Sequence, residues 1–176
     1  AREKAFEFYY DPETKSVSKD KTPIHFRGKI DRIDKDSMNR WVVLDYKSGA
    51  GELKNSDKWM SENQLQLALY ALALDSKLVE EFEVGEVIGA FYYVFRNFNR
   101  HRGFKVSELA GSLFDLDAKK NKITGEAKHK LYEALLKVLE ETLPLILQGE
   151  FSPKPLDLKT CDTCNWNKLC RAPHLN

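Results

Sequence analysis

The chain has 176 residues, 42% hydrophobic and 31% charged, the balance of one globular domain with a core of its own. Its 28 Lys and Arg against 27 Asp and Glu leave a net charge of +1, which excludes retention on nucleic acid by bulk charge but not a local basic groove. No apolar run approaches the roughly 18 residues a membrane span needs, so no membrane association is expected.

No signal peptide is read at the start, and the composition is that of a cytoplasmic protein. Ala1-Arg2-Glu3-Lys4 runs straight into apolar sequence without a Met, so the expectation is a piece of something longer. All three cysteines fall between residues 161 and 170, which suggests a local ligand cluster rather than a disulfide framework.

Residues 5–10 are aromatic and partly alternating and predict a strand. Asp11-Pro12 and Thr22-Pro23 mark turns in the polar stretch that follows. Residues 24–34 alternate again, and 35–40 form a polar turn. Trp41-Val42-Val43-Leu44-Asp45-Tyr46-Lys47 is β-branched and aromatic, so 24–34 and 41–47 read as an antiparallel hairpin. Ser48-Gly49-Ala50-Gly51 stops it. Ser61-Glu62-Asn63-Gln64 fits a capping box ahead of a buried helix over 65–78. Residues 87–95 predict a central strand, while 96–125 resist reading. A second helix spans about 126–147, with a stripe of Leu131, Leu135, Val138, Leu139, Thr142 and Ile146. Pro144 is expected to kink it and Gly149 to end it. The fold class is α/β, a central mixed sheet flanked by helices, with a core over 1–150 and a Pro-rich cysteine tail over 151–176.

Chemistry concentrates in the hairpin. Residues i and i+2 of a strand share a face, so Asp45 and Lys47 point one way and Leu44 and Tyr46 the other. Pairing about the 35–40 turn sets Asp31 near enough to Asp45 to share a metal. Two carboxylates and the Tyr46 carbonyl suit a hard cation, Mg²⁺ or Mn²⁺. Lys47 could hold a water or neutralise phosphate charge. Asp34 is assigned to Arg32, Arg40 or the turn. A D-x-K triplet is common by chance, and Asp and Lys in strands are often plain solvent-facing residues; spacing alone leaves both readings standing. Gln66 and Tyr70, four apart, share one helix face, and a Gln among leucines needs a partner if buried.

Gly28-Lys29-Ile30-Asp31-Arg32-Ile33-Asp34, Val43-Leu44-Asp45-Tyr46-Lys47-Ser48-Gly49 and Gln66-Leu67-Ala68-Leu69-Tyr70 together resemble, in order and separation, the RecB-like branch of the PD-(D/E)XK nucleases. The resemblance implies a restriction-endonuclease-like core and a metal-dependent DNA nuclease. On that pattern Asp31 and Asp45 bind the metal, Lys47 is the catalytic lysine, and Gln66 and Tyr70 form the QxxxY motif. Ile30 stands where the superfamily name has proline. The family often adds a His or Glu from an upstream helix; here only strand and turn precede Asp31, and Glu7 is the nearby acidic candidate.

The tail, Cys161-x₂-Cys164-x₅-Cys170, is similar to the end of AddB-type and CRISPR-associated RecB-like nucleases. That likeness implies three ligands of a [4Fe–4S] cluster, with the fourth cysteine upstream of the sequence in hand. A Cys₃His zinc site completed by His174, or unliganded thiols, stay open. Arg96, Arg100, His101 and Arg102 with Phe95 and Phe98 form a basic and aromatic patch that could follow phosphates or stack on unpaired bases, or be a solvated loop. His25 and His129 read as surface or edge residues. The expectation is a Mg²⁺-dependent deoxyribonuclease of exonuclease type in DNA repair or recombination, with DNA as partner and a helicase beside it. The rivals are a non-catalytic DNA-binding or scaffolding module on the same fold, and a small-molecule enzyme using the same carboxylates.

Overall fold

Alternation of Phe6, Phe8 and Tyr10 with polar residues makes β1 (Arg2–Asp11) a strand buried on one face. The computed structural model describes residues 2–22, 24–96, 98–108, 121–153, 155 and 157–170, with the side chains of 99–101 outside that set. The strands are β1, β2 (Ser16–Ser18), β3 (Ile24–Lys35), β4 (Arg40–Lys47), β5 (Glu86–Val94), β6 (Asn99–Val106) and β7 (Lys122–Ile123). They form one seven-stranded sheet in the order β2-β1-β3-β4-β5-β6-β7. β4 and β5 run parallel, as do β6 and β7; the other pairs are antiparallel. The expected hairpin is present, with Arg32 opposite Leu44 and Lys35 opposite Trp41.

A parallel pair needs a crossover, and α1 (Gln66–Asp75) supplies it between β4 and β5. Seven of its ten residues are buried, as the all-round apolar sequence predicts. Trp41 and Val43 of β4 join α1 and Trp59 in the main core, while Val42 and Leu44 pack with Ile88 and Phe91 in a second cluster. The α1-facing row of β4 therefore runs from Trp41 and Val43 into Asp45 and Lys47. Apolar side chains pin the row, and its last two positions carry the polar groups.

Three expectations are corrected. Residues 61–64 form no capping box: α1 begins at Gln66, its N-cap Leu65 makes no side-chain cap, and it ends at Asp75. Gln64 instead accepts from Lys54 N at 2.9 Å and donates to Glu52 O at 2.8 Å, because loop backbone there lacks a ladder partner. The stretch after 96, unreadable in sequence, holds β6. The long helix α2 (Gly125–Leu147) buries Lys128, Tyr132, Leu135 and Leu139; Thr142 and Ile146 of the expected stripe are exposed.

The chain divides into two compact units, Ala1–Glu140 and Glu141–Asn176. In the second, Pro144 lies inside the helix. Gly149, at φ 73°, ends it, with Glu150 N bonded to Leu145 O at 2.8 Å. A short helix α3 (Lys159–Asp162) opens the cysteine segment. Among the described residues no helix is long and apolar enough to cross a membrane.

Candidate active site

Ladder pairing of β3 with β4 stops at Arg32 and Leu44. One step further along that register, Asp31 stands across from Asp45. There the Asp31 carboxylate takes the place of a backbone carbonyl: Oδ2 accepts the Tyr46 N–H at 2.8 Å. Asp31 is thus fixed by β4's own backbone, and the two acids sit on neighbouring strands at the same level.

Asp45 is 2% exposed, and its Oδ2 lies 2.5 Å from Lys47 Nζ. The Lys47 ammonium is the countercharge of this buried oxygen. Burial pushes the Asp45 carboxyl above its ordinary pKa; Lys47 opposes that push, and the Asp31 charge adds to it. Lys47 Nζ also donates to Gln66 Oε1 at 3.0 Å and lies 5.5 Å from the Tyr92 ring centre. Gln66 Nε2 in turn donates to Tyr70 OH at 2.8 Å. Burial, then the Asp45 and Asp31 charges against the Gln66 hydrogen bond, raise the Tyr70 hydroxyl. Burial and Asp45 lift Tyr92 to about 12. Asp31, Asp45, Lys47, Gln66 and Tyr70 therefore form one connected group at the C-terminal end of β4.

The group concentrates negative charge. The buried Asp45 carboxylate is ion-paired with Lys47, and the Asp31 carboxylate beside it raises its proton affinity, so a second cation between the two acids would offset the remaining repulsion. Asp31, Asp45 and the Tyr46 carbonyl offer oxygen donors only, the set a hard divalent ion takes.

A sequence profile of the PD-(D/E)XK nuclease superfamily matches residues 1–171. The chain belongs to that superfamily. The mixed seven-stranded sheet with flanking helices is its restriction-endonuclease-like fold. Among curated proteins, the B subunit of the ATP-dependent helicase/deoxyribonuclease of Clostridium botulinum strain Loch Maree / Type A3 is 36% identical over 74 residues, 40% of this chain and 6% of that protein. Its counterpart from strain Hall matches to the same extent. The chain thus spans a small part of these relatives' length. No solved structure matches it.

Two neighbours of this candidate site carry no signal in the sequence. Tyr92, opposite Asp45 on β5, looked like one more strand aromatic. Glu3, at φ 49° in β1, lines a cavity of about 290 Å³ with Arg2, Asp31 and Tyr46; nothing in its sequence context marks it. Glu7 lies elsewhere, accepting from Tyr9 OH at 3.1 Å and paired with His25 Nε2 at 3.0 Å. Asp34 takes Arg32 in a bidentate pair at 2.7 and 3.0 Å, while Arg40 pairs with Asp36 at 2.7 Å. Arg96 and Phe98 are exposed and Phe95 is 48% exposed; Arg102 donates to Asn55 at 3.4 Å. The side chains of Arg100 and His101 lie outside the described residues.

In the tail, Cys161, Cys164 and Cys170 form no disulfide and are half-buried. Burial and then the neighbouring Cys170 and Cys164 thiols push the Cys161 thiol up. Trp166 N donates to Cys164 Sγ at 3.4 Å. Among the described residues no group of three or more His, Cys, Asp or Glu is arranged to hold a metal; His174 lies outside them.

Proposed function

We propose that this chain is a metal-dependent deoxyribonuclease domain that hydrolyses phosphodiester bonds, as an exonuclease in DNA repair or recombination beside a helicase. The observation that carries it is the linked set Asp31, Asp45, Lys47, Gln66 and Tyr70, with its two carboxylates at one level on neighbouring strands. The partial similarity to one chain of a helicase/deoxyribonuclease supports the setting.

Mg²⁺ or Mn²⁺ held by Asp31, Asp45 and the Tyr46 carbonyl would polarise the scissile phosphate and lower the pKa of a bound water. The chain's own residues do the rest. Asp31 and Asp45 supply fixed negative donors from two strands. Lys47, one-third exposed at its side chain, faces solvent enough to meet a phosphate; it orients the attacking water or offsets charge on the pentacovalent phosphorus. Gln66 holds the lysine in place, and Tyr70 holds the Gln66 amide.

The tail is a separate part of the proposal. Among the described residues the three cysteines are not gathered round one point. The spacing Cys161-x₂-Cys164-x₅-Cys170 supports cluster binding. Anaerobically purified full-length protein should then be brown and carry about four iron and four sulfide per chain; about one zinc would indicate the His174 alternative, and neither metal would remove the assignment.

Incubation of the full-length protein with labelled linear and circular DNA, with and without Mg²⁺, tests the main reading. Mg²⁺-dependent loss of the linear DNA is expected. An intact substrate under both Mg²⁺ and Mn²⁺ would reject it.

A further inference from the structure

Tyr46 shares β4 with Asp45 and Lys47 but points to the opposite face of the sheet. Its register partner is Tyr93 on β5, and Phe95 follows two residues on. The three rings form one cluster. Tyr46 and Tyr93 centres are 5.7 Å apart at 80°, Tyr46 and Phe95 5.0 Å at 35°, and Tyr93 and Phe95 5.9 Å at 76°. Phe95 is tied to the catalytic strand, its N–H donating to Lys47 O at 2.9 Å. Phe98, in the turn into β6, is held by Tyr93 OH donating to its carbonyl at 3.3 Å.

Core formation does not account for the outer rings. Phe95 is 48% and Phe98 75% exposed. Phe98 also stands at φ 50°, a backbone state that a bulky residue adopts at a cost and that marks functional turns. The cluster's inner side rests on Val42, Leu44, Ile88 and Phe91 through Tyr93, and its exposed side is made of the Phe95 and Phe98 rings. Exposed Arg96 follows Phe95 in the chain, and exposed Arg2 lines the cavity that Tyr46 and Asp31 share. Arg32, beside the Tyr46 hydroxyl, is committed to Asp34. Glu3 on the rim of that cavity is the one acid facing it besides Asp31 among the described lining residues. Exposed rings with arginines in the same segment and at the same cavity fit a polyanion that carries flat groups.

We propose that Tyr46, Tyr93, Phe95 and Phe98 form a base-stacking platform for an unpaired DNA strand whose backbone crosses the end of the sheet at Asp31 and Asp45. Base–aromatic stacking tolerates any sequence because every base has a π face. In duplex DNA those faces are taken by neighbouring base pairs, so the platform selects unpaired strands. This rests on the nuclease reading for the identity of the substrate, but it concerns binding, which is measurable without cleavage.

The test is fluorescence anisotropy in EDTA with the chain as it stands. The probes are labelled oligo(dT), an abasic phosphodiester strand of equal length, and a duplex. The wild type should bind oligo(dT) more tightly than either of the others. Phe95→Ala/Phe98→Ala should weaken oligo(dT) binding about tenfold or more, as the loss of stacked bases implies, and leave the abasic strand unaffected. Phe95→Leu/Phe98→Leu keeps apolar area, so it secures the fold if the alanine variant is unstable, and it should lose the same preference. Equal binding of oligo(dT) and the abasic strand by the wild type, or leucine-variant binding equal to wild type, would overturn the proposal. So would tighter binding of oligo(U), which would assign the platform to RNA. Ring-dependent binding in a protein that cuts no DNA with Mg²⁺ would support the platform and remove the nuclease reading instead.

Discussion

Lys47 Nζ donates to Gln66 Oε1 at 3.0 Å, joining the end of β4 to the first residue of α1. The contact sets the orientation of the glutamine amide. Its Nε2 must then face the Tyr70 hydroxyl, which it reaches at 2.8 Å; the flipped amide would set donor against ammonium. The lysine is held from two elements, Asp45 on its own strand and Gln66 on the helix. Gln66→Leu removes the second hold, and cleavage is expected to fall about 10–100-fold, the usual cost of losing a group that orients a metal-site residue. Gln66→Glu keeps an acceptor and should retain more activity than Gln66→Leu. Single-turnover cleavage rates for the two variants check the order; equal rates for Gln66→Leu and wild type would remove Gln66 from the site.

Lys47→Ala should abolish cleavage while DNA binding in EDTA stays near wild type, because a group acting on transition-state charge changes rate more than ground-state affinity. Asp45→Ala should act differently. It removes a proposed cation ligand, so the thermal midpoint of the variant should no longer rise with added Mg²⁺ or Mn²⁺. For the wild type, ligand at a hundredfold excess over Kd stabilises by about 2.7 kcal/mol. An Asp45→Ala protein that still gains stability from the metals would place the cation elsewhere.

Gly28 explains itself through the same site. A Cβ there would lie 2.8 Å from Phe6 Cε1 and 2.9 Å from Cζ. Phe6 packs edge-on against Tyr70 at 5.4 Å, so displacement of its ring passes to Tyr70 and on to Gln66. Gly28→Ala is expected to cost about 1–3 kcal/mol through overpacking and to lower cleavage as well. Adding Phe6→Leu should restore part of both. Urea unfolding and cleavage rates on the single and double variants measure this, and an undisturbed Gly28→Ala would show that Phe6 has room to yield.

Much of this was legible in the residues. Period-two alternation set Asp45 and Lys47 on one face, and a turn at 35–40 brought Asp31 opposite. The apolar run after Gln66 announced a buried helix. What failed did so for physical reasons. Gln64 has the chemistry of a cap but spends it on the backbone of residues 52 and 54. β6 reads Asn-Arg-His-Arg-Gly-Phe-Lys-Val, with too few apolar positions to show a period. Gly103 there, at φ 138°, sits where a Cβ would fall 2.1 Å from Ala90 O, a close approach that hydropathy does not report. The α2 stripe holds from Leu131 to Leu139 and fails at Thr142 and Ile146; its buried Lys128 went unread because charge pairing across elements leaves no mark on periodicity.

That lysine carries a stability prediction. Lys128 is 4% exposed. Its Nζ lies 2.9 Å from Asp75 Oδ2 and donates to Val87 O at 2.9 Å. Asp75 Oδ1 accepts Val87 N at 2.7 Å. The network fastens α2 to the end of α1 and the start of β5. Lys128→Met leaves Asp75 charged without its cation, and the expected loss is about 3–5 kcal/mol, the usual cost of halving a buried pair. Lys128→Met/Asp75→Asn should recover part of it in urea unfolding. A single variant as stable as wild type would mean that water replaces the ammonium.

Tyr132 completes the same network and gives it a pH dependence. Its hydroxyl donates to Asp75 Oδ2 at 2.7 Å. Burial, then the Asp75 charge and hydrogen bond, hold the phenol well above its ordinary pKa. The folded chain therefore keeps this proton at pH values where the unfolded chain has released it, so the native state binds more protons above about pH 10. Stability must then fall as pH rises through that range. Below it the hydroxyl is protonated in both states and contributes no slope. Tyr132→Phe removes the titrating group, so its unfolding free energy should be lower at neutral pH for loss of the hydrogen bond, yet decline less steeply above about pH 10. Urea midpoints across the alkaline range for the two proteins decide it; parallel curves would show that Tyr132 titrates alike in the folded and unfolded chain.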